Sequence, residues 1–117
     1  MKVYIPTVGT ELELASPWKF KLYDEYRNSA WIDKLQARRM VPTLKPRTNY
    51  SSVPVLCEFT LPPGTKLKVS RIYIRGHARN FDSVTFTSSF EYANTLIKGR
   101  FWAKLADVNT MEVVDIV

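Results

Sequence analysis

The chain has 117 residues, long enough for one hydrophobic core and too short for two independent ones, so residues 1–117 are expected to form a single domain. Hydrophobic residues make up 45% and charged residues 24%, which excludes a disordered composition. Seventeen Lys and Arg against eleven Asp and Glu give a net charge of +6, so a partner selected by charge is anionic: nucleic acid, an acidic protein or a membrane surface.

At the N-terminus, MKVYIPTVG reaches Pro6 and Gly9 before an apolar leader can form, and no run approaches the roughly 18 apolar residues of a membrane span. A soluble cytoplasmic chain is therefore expected. Short alternating segments follow, punctuated by Pro, Gly, Asn and Ser: Val3 to Ile5, Glu11 to Leu14, Trp18 to Tyr23, Pro54 to Leu61, Lys66 to Arg75, Ser83 to Phe90, Gly99 to Leu105 and Met111 to Ile116. Their spacing predicts a mainly β fold, a small SH3-like or OB-like barrel. One α-helix is expected over residues 29–40, SAWIDKLQARRM, where Trp31, Ile32 and Leu35 recur at helical spacing. Arg38 and Arg39 suit its C-terminal dipole, and Pro42 stops it. Residues 41–53, with two prolines, read as a loop. The single cysteine, Cys57, excludes an internal disulfide; it lies in the apolar run Val53 to Phe59, where a buried, inert thiol and a reducing compartment are the ordinary reading.

Residues 1–28 and 54–90 share a pattern. "VGTELELASPWKFKLY" and "PGTKLKVSRIYIRG" both run Gly-Thr-x-Leu-x-apolar into a second alternating stretch. Glu11 and Glu13 occupy the places that Lys66 and Lys68 hold in the second copy, so pairing of the two strands would neutralise these charges across the ladder. Within the second copy the apolar face changes phase: Leu67 and Val69 are odd-numbered, Ile72 and Ile74 even. A β-bulge near Ser70 repairs such a slip.

That phase leaves Arg71, Tyr73 and Arg75 on the face away from the core. The same parity leaves Arg100, Trp102 and Lys104 outside when Phe101, Ala103 and Leu105 point in, and Lys19, Lys21 and Tyr23 outside when Trp18, Phe20 and Leu22 point in. Three strands thus each offer two cations and one aromatic. Such a face suits a single-stranded nucleic acid, whose bases stack on aromatic planes for about 1–3 kcal/mol each while cations follow the phosphates. The competing reading has the aromatics packing beneath the helix or a second sheet and the cations blunting exposed edges. The loop GHARN adds His77 and Arg79 as phosphate contacts, or forms a solvated tip. Arg38, Arg39, Lys45 and Arg47 make a second basic cluster.

Nothing in the pattern points to catalysis or to a metal or other cofactor. One histidine and one cysteine, twenty positions apart, do not suggest a nucleophile and base, and two such ligands cannot close a zinc site. Gly-rich phosphate loops and HExxH are absent from the sequence.

The stretches "GTELELASPWKFKLYDEYRN", "PGTKLKVSRIYIRG", "FDSVTF" and "RFWAKLADVN" resemble small uncharacterised proteins encoded by tailed bacteriophages. The resemblance implies a phage protein acting in the host cytoplasm, directed at a host factor or defence system, and carries over no functional residues. The PGTxLxV opening is also similar to the first strand of SH3-like barrels. The expectation is a non-enzymatic binding protein that holds nucleic acid on a basic, aromatic β-face. The alternatives are a phage-encoded module that inhibits an acidic host protein, and a virion component. The oligomeric state is left open.

Overall fold

A computed structural model describes residues 6–42, 55–74 and 82–115. The segment Val3 to Ile5, most of the loop 41–53, and the candidate residues Arg75, His77, Arg79, Lys45 and Arg47 lie outside the described residues. The fold is mainly β. Its strands are β1 Glu11–Leu14, β2 Trp18–Tyr23, β3 Val55–Leu61, β4 Lys66–Tyr73, β5 Ser83–Tyr92, β6 Thr95–Lys104 and β7 Val113–Asp115. A 3-10 turn Tyr26–Asn28 leads into helix α1, Ser29–Ala37, and the single turn α2 spans Leu105–Val108.

Five strands form one antiparallel sheet in the order β6-β5-β4-β1-β7, and β2 pairs with β3 as a separate ribbon. Among the described residues the sheets do not close into the expected SH3-like or OB-like barrel. β2 leaves the sheet after Pro17 rather than extending it, and among the described residues the free edge of β6 meets side chains rather than a strand. Asn28 Oδ1 accepts the Trp102 backbone N–H (2.9 Å), and Lys34 Nζ donates to the Lys98 carbonyl (2.6 Å). These contacts satisfy edge groups that would otherwise template further pairing.

The ribbon and α1 cover one face of the five-stranded sheet. Trp18, Phe20 and Leu22 of β2 and Trp31, Ile32 and Leu35 of α1 are buried with Phe86, Phe90, Ile97 and Phe101. Rings stack in sequence through this layer: Trp18 on Phe20 (4.4 Å between centroids), Phe20 on Phe101 (5.0 Å) and Phe101 on Trp31 (4.3 Å). Trp31 lies directly on Gly99, where any Cβ would collide with the indole. Only the smallest residue permits this approach of helix to strand.

Several local features follow from the sequence pattern. The register of β4 on β5 slips between Val69 and Arg71, leaving Ser70 as the extra residue of a bulge. Glu11 stands opposite Lys68 and Glu13 opposite Lys66 across the β1–β4 ladder. Gly9 (φ 91°) and Gly64 (φ 85°) both take the left-handed backbone of a turn at the matched Gly-Thr positions. The copies then differ: the first breaks into β1 and β2 in separate sheets, and the second runs on through its bulge as one strand. Helix α1 ends at Ala37, before the expected residue 40, because Arg39 adopts φ 57° and the Met40 N–H turns back to the Leu35 carbonyl (2.9 Å). Among the described residues, no helix is long and apolar enough to cross a membrane.

Candidate nucleic-acid interface

The outward face of the five-stranded sheet carries four cross-strand rows, each running from β6 over β5 to β4. They are Lys98–Ser89–Lys66, Arg100–Thr87–Lys68, Trp102–Thr85–Arg71 and Lys104–Ser83–Tyr73. Every central position is a hydroxyl. Because side chains alternate between faces, Val84, Phe86, Ser88 and Phe90 of β5 point into the core while the hydroxyl column points out. Strands about 4.8 Å apart put the β6 and β4 side chains roughly 10 Å from each other, with the hydroxyls between them. The bulge at Ser70 keeps Arg71 and Tyr73 on this face. The result is a trough floored by Ser and Thr, with cations on both sides in the first two rows and on one side in the last two.

The expected aromatic platform is assembled here only in part. β2 belongs to the ribbon, so Lys19 and Lys21 project from the opposite layer of the molecule. Lys19 pairs with Glu58 (3.2 Å), and the Lys21 backbone N–H donates to Asp107 Oδ2 (3.0 Å). Tyr23 escapes this arrangement because the ribbon register slips between Leu22 and Tyr23. It stacks on Trp102 at 4.9 Å. Tyr23 and Trp102, expected on the outside, are buried at 3% and 1% exposure and offer no free plane to a base.

The cause is the segment between β2 and α1, which roofs this end of the trough. Glu25 Oε2 accepts the Trp102 indole N–H (2.7 Å), while the Glu25 carboxylate also accepts the Arg27 backbone N–H (2.7 Å) and its Nε–H (2.6 Å). The Arg27 guanidinium then lies 5.3 Å from the Trp102 ring and 5.6 Å from the Tyr73 ring, and Lys104 Nζ lies 5.3 Å from Tyr23. Each such cation–π contact contributes about 0.5–2 kcal/mol. Beneath them Asn28, wholly buried, bridges the Trp102 N–H and the Tyr23 carbonyl (3.1 Å). The molecule's own cations thus occupy the aromatic faces.

Arg71 and Arg100 remain exposed on the trough, and Tyr73 and Lys104 are half-buried. The Arg71 guanidinium donates to the Tyr73 hydroxyl (3.3 Å), which raises its pKa from the ordinary arginine value. Arg38 and Arg39 belong to the helix layer, where Arg38 Nη1 caps the Lys34 carbonyl (3.2 Å), and they do not join the trough. Burial pushes the Cys57 thiol above its ordinary pKa, so it stays protonated near neutrality. Among the described residues no three His, Cys, Asp or Glu side chains gather as a metal site.

Sequence reasoning missed Lys98, Lys66 and Lys68 as trough residues, the last two having been read as partners of the β1 glutamates. It also missed the hydroxyl column, although Ser83, Thr85, Thr87 and Ser89 alternate visibly, and the roofing role of Glu25, Arg27 and Asn28. Geometrically, the open part of the face can hold an anionic chain by charge and hydroxyl hydrogen bonds, with no stacking required. No protein-family model, no curated protein and no solved structure matches the chain, so the reading of this face stands on its own geometry.

Proposed function

We propose that the protein is a non-enzymatic binder of single-stranded nucleic acid that grips the phosphate backbone along β5. The observation that supports this most directly is the repeated cation–hydroxyl–cation row, Lys98–Ser89–Lys66 and Arg100–Thr87–Lys68, continued by Arg71. Lys66 and Lys68 stand opposite Glu13 and Glu11 on β1, so the unbalanced charge is carried by Lys98, Arg100 and Arg71, and an anionic chain laid along β5 neutralises it. The hydroxyls of Ser89 and of Thr87, the latter 3.0 Å from the Ser70 hydroxyl, can donate to phosphate oxygens, as side chains that position a nucleic acid commonly do. Contacts of this kind are indifferent to base identity, so binding is expected to be weakly sequence-dependent.

The test is fluorescence anisotropy of a labelled single-stranded oligonucleotide across a salt series. Neutralising two to four phosphates gives a slope of log affinity against log salt of about −1.4 to −2.8, at roughly 0.7 per phosphate. Tryptophan emission should change little on binding, because Trp18, Trp31 and Trp102 are all buried. Strong quenching would restore the base-stacking mechanism. No binding at low salt, together with capture of an acidic protein after nuclease treatment, would replace this reading with that of a protein-binding module.

A further inference from the structure

We propose that the open end of the trough is a phosphate-monoester subsite, which takes the terminal phosphate of a strand lying along β5. The proposal rests on the backbone-binding reading and deepens it. An open groove of about 400 Å³ is lined there by Glu11, Lys66, Lys68, Thr87, Ser89 and Lys98, residues of four adjacent strands. The lining itself, three lysines less the Glu11 carboxylate, carries two positive units, with Glu13 outside it opposite Lys66. That matches a phosphate monoester, which carries about −1.5 to −2 at neutral pH, better than a backbone diester with a single charge. Lysine ammonium groups on flexible stems suit a compact anion that arrives without a planar fork to match.

The position of the groove makes it an end. The next outward pair beyond Lys98–Ser89 is Leu96–Glu91, an exposed apolar residue and a carboxylate. A further phosphate there would meet the like charge of Glu91, with Lys66, already counted in the groove, as the one cation bordering it. In the other direction the rows stay basic through Arg100 and Arg71 until the Arg27 roof. A strand can therefore leave the groove over Arg100 and Arg71 but cannot pass through it toward the β5–β6 turn.

Three oligonucleotides of one sequence test this: one with a 5′-phosphate, one with a 3′-phosphate and one with hydroxyls at both ends. At pH 7.5 and low salt, one of the phosphorylated strands should bind about tenfold more tightly than the hydroxyl strand. The advantage should shrink at pH 5.5, where the second ionisation of the monoester, with a pKa of about 6, is reversed. The variant Lys66→Ala/Lys98→Ala should abolish the advantage, whereas Arg71→Ala should weaken all three strands alike; circular dichroism checks that both remain folded. Equal affinity for the three strands overturns the subsite and leaves the backbone reading standing. If none binds, the backbone reading falls, and amide chemical shifts during titration with inorganic phosphate decide the subsite. Saturable shifts at Thr87, Ser89 and Lys98 that the double variant removes would assign the groove to a free phosphorylated molecule, and their absence overturns it.

Discussion

The two ends of the outward sheet face are built from the same alternation and meet opposite fates. At one end Ser89 and Thr87 lie open between Lys98, Arg100, Lys66 and Lys68; at the other, Thr85 and Ser83 are buried at 7% and 4% exposure, beside Trp102 and Tyr23. Along β5 the hydroxyls alternate alike at both ends, and β6 differs in placing Trp102 at one and Lys98 and Arg100 at the other. The difference comes from the segment after β2, which crosses the edge of β6 and lays Glu25, Arg27 and Asn28 over one end only. A strand pattern therefore states which residues share a face, while a distant segment decides whether that face binds or packs.

Substitutions should separate the two ends sharply. Trp102→Ala removes a buried ring stacked on Tyr23 and leaves the Glu25 carboxylate without its indole partner, and should cost about 3–5 kcal/mol in urea unfolding. A cost below about 1 kcal/mol would show that the roof is not packed. Gly99→Ala probes the other side of the open end. A methyl group there runs into Trp31, so the change should destabilise by about 1–3 kcal/mol even though the flanking Lys98 and Arg100 are exposed. Asn28→Ala strips the Trp102 N–H of its acceptor in a buried place, with an expected loss of about 1–3 kcal/mol. Hydrogen exchange should report it as faster exchange at the Trp102 amide than at the neighbouring core amides. Lys98→Ala is expected to change stability by no more than about 0.5 kcal/mol in thermal unfolding while weakening oligonucleotide binding, the reverse of what the closed-end variants do.

The fold was legible wherever periodicity alone carried the signal. The phase change between Val69 and Ile72 located the bulge at Ser70, and the charge reversal between Glu11, Glu13 and Lys66, Lys68 matched the ladder that forms. The β5–β6 hairpin extends beyond the expected Phe90 and Gly99 to Tyr92 and Thr95, across a turn that carries Ala93 (φ 50°) and Asn94 (φ 64°) in place of the usual Asn-Gly. Among the described residues the expected barrel does not form. Closure depends on which edges find a strand, and side chains of Asn28 and Lys34 satisfy the edge of β6 instead.

The candidate site divides along the same line. Arg71, Arg100 and Lys104 were readable from parity, because alternate residues of a strand must face the same way. The burial of Trp102 and Tyr23 was not, since it depends on a residue such as Asn28, 74 positions from Trp102 and without a pattern of its own. By itself the sequence determined most of the described strands, most of their inward residues and the sign of the charge on the outer face, because backbone geometry and the hydrophobic effect act on every second residue alike; Ile74, expected inward, follows the end of β4 and is exposed. Only the tertiary structure decided which of those outward residues meet solvent. Covering a surface requires two segments distant in the chain to meet, and no local period records that meeting.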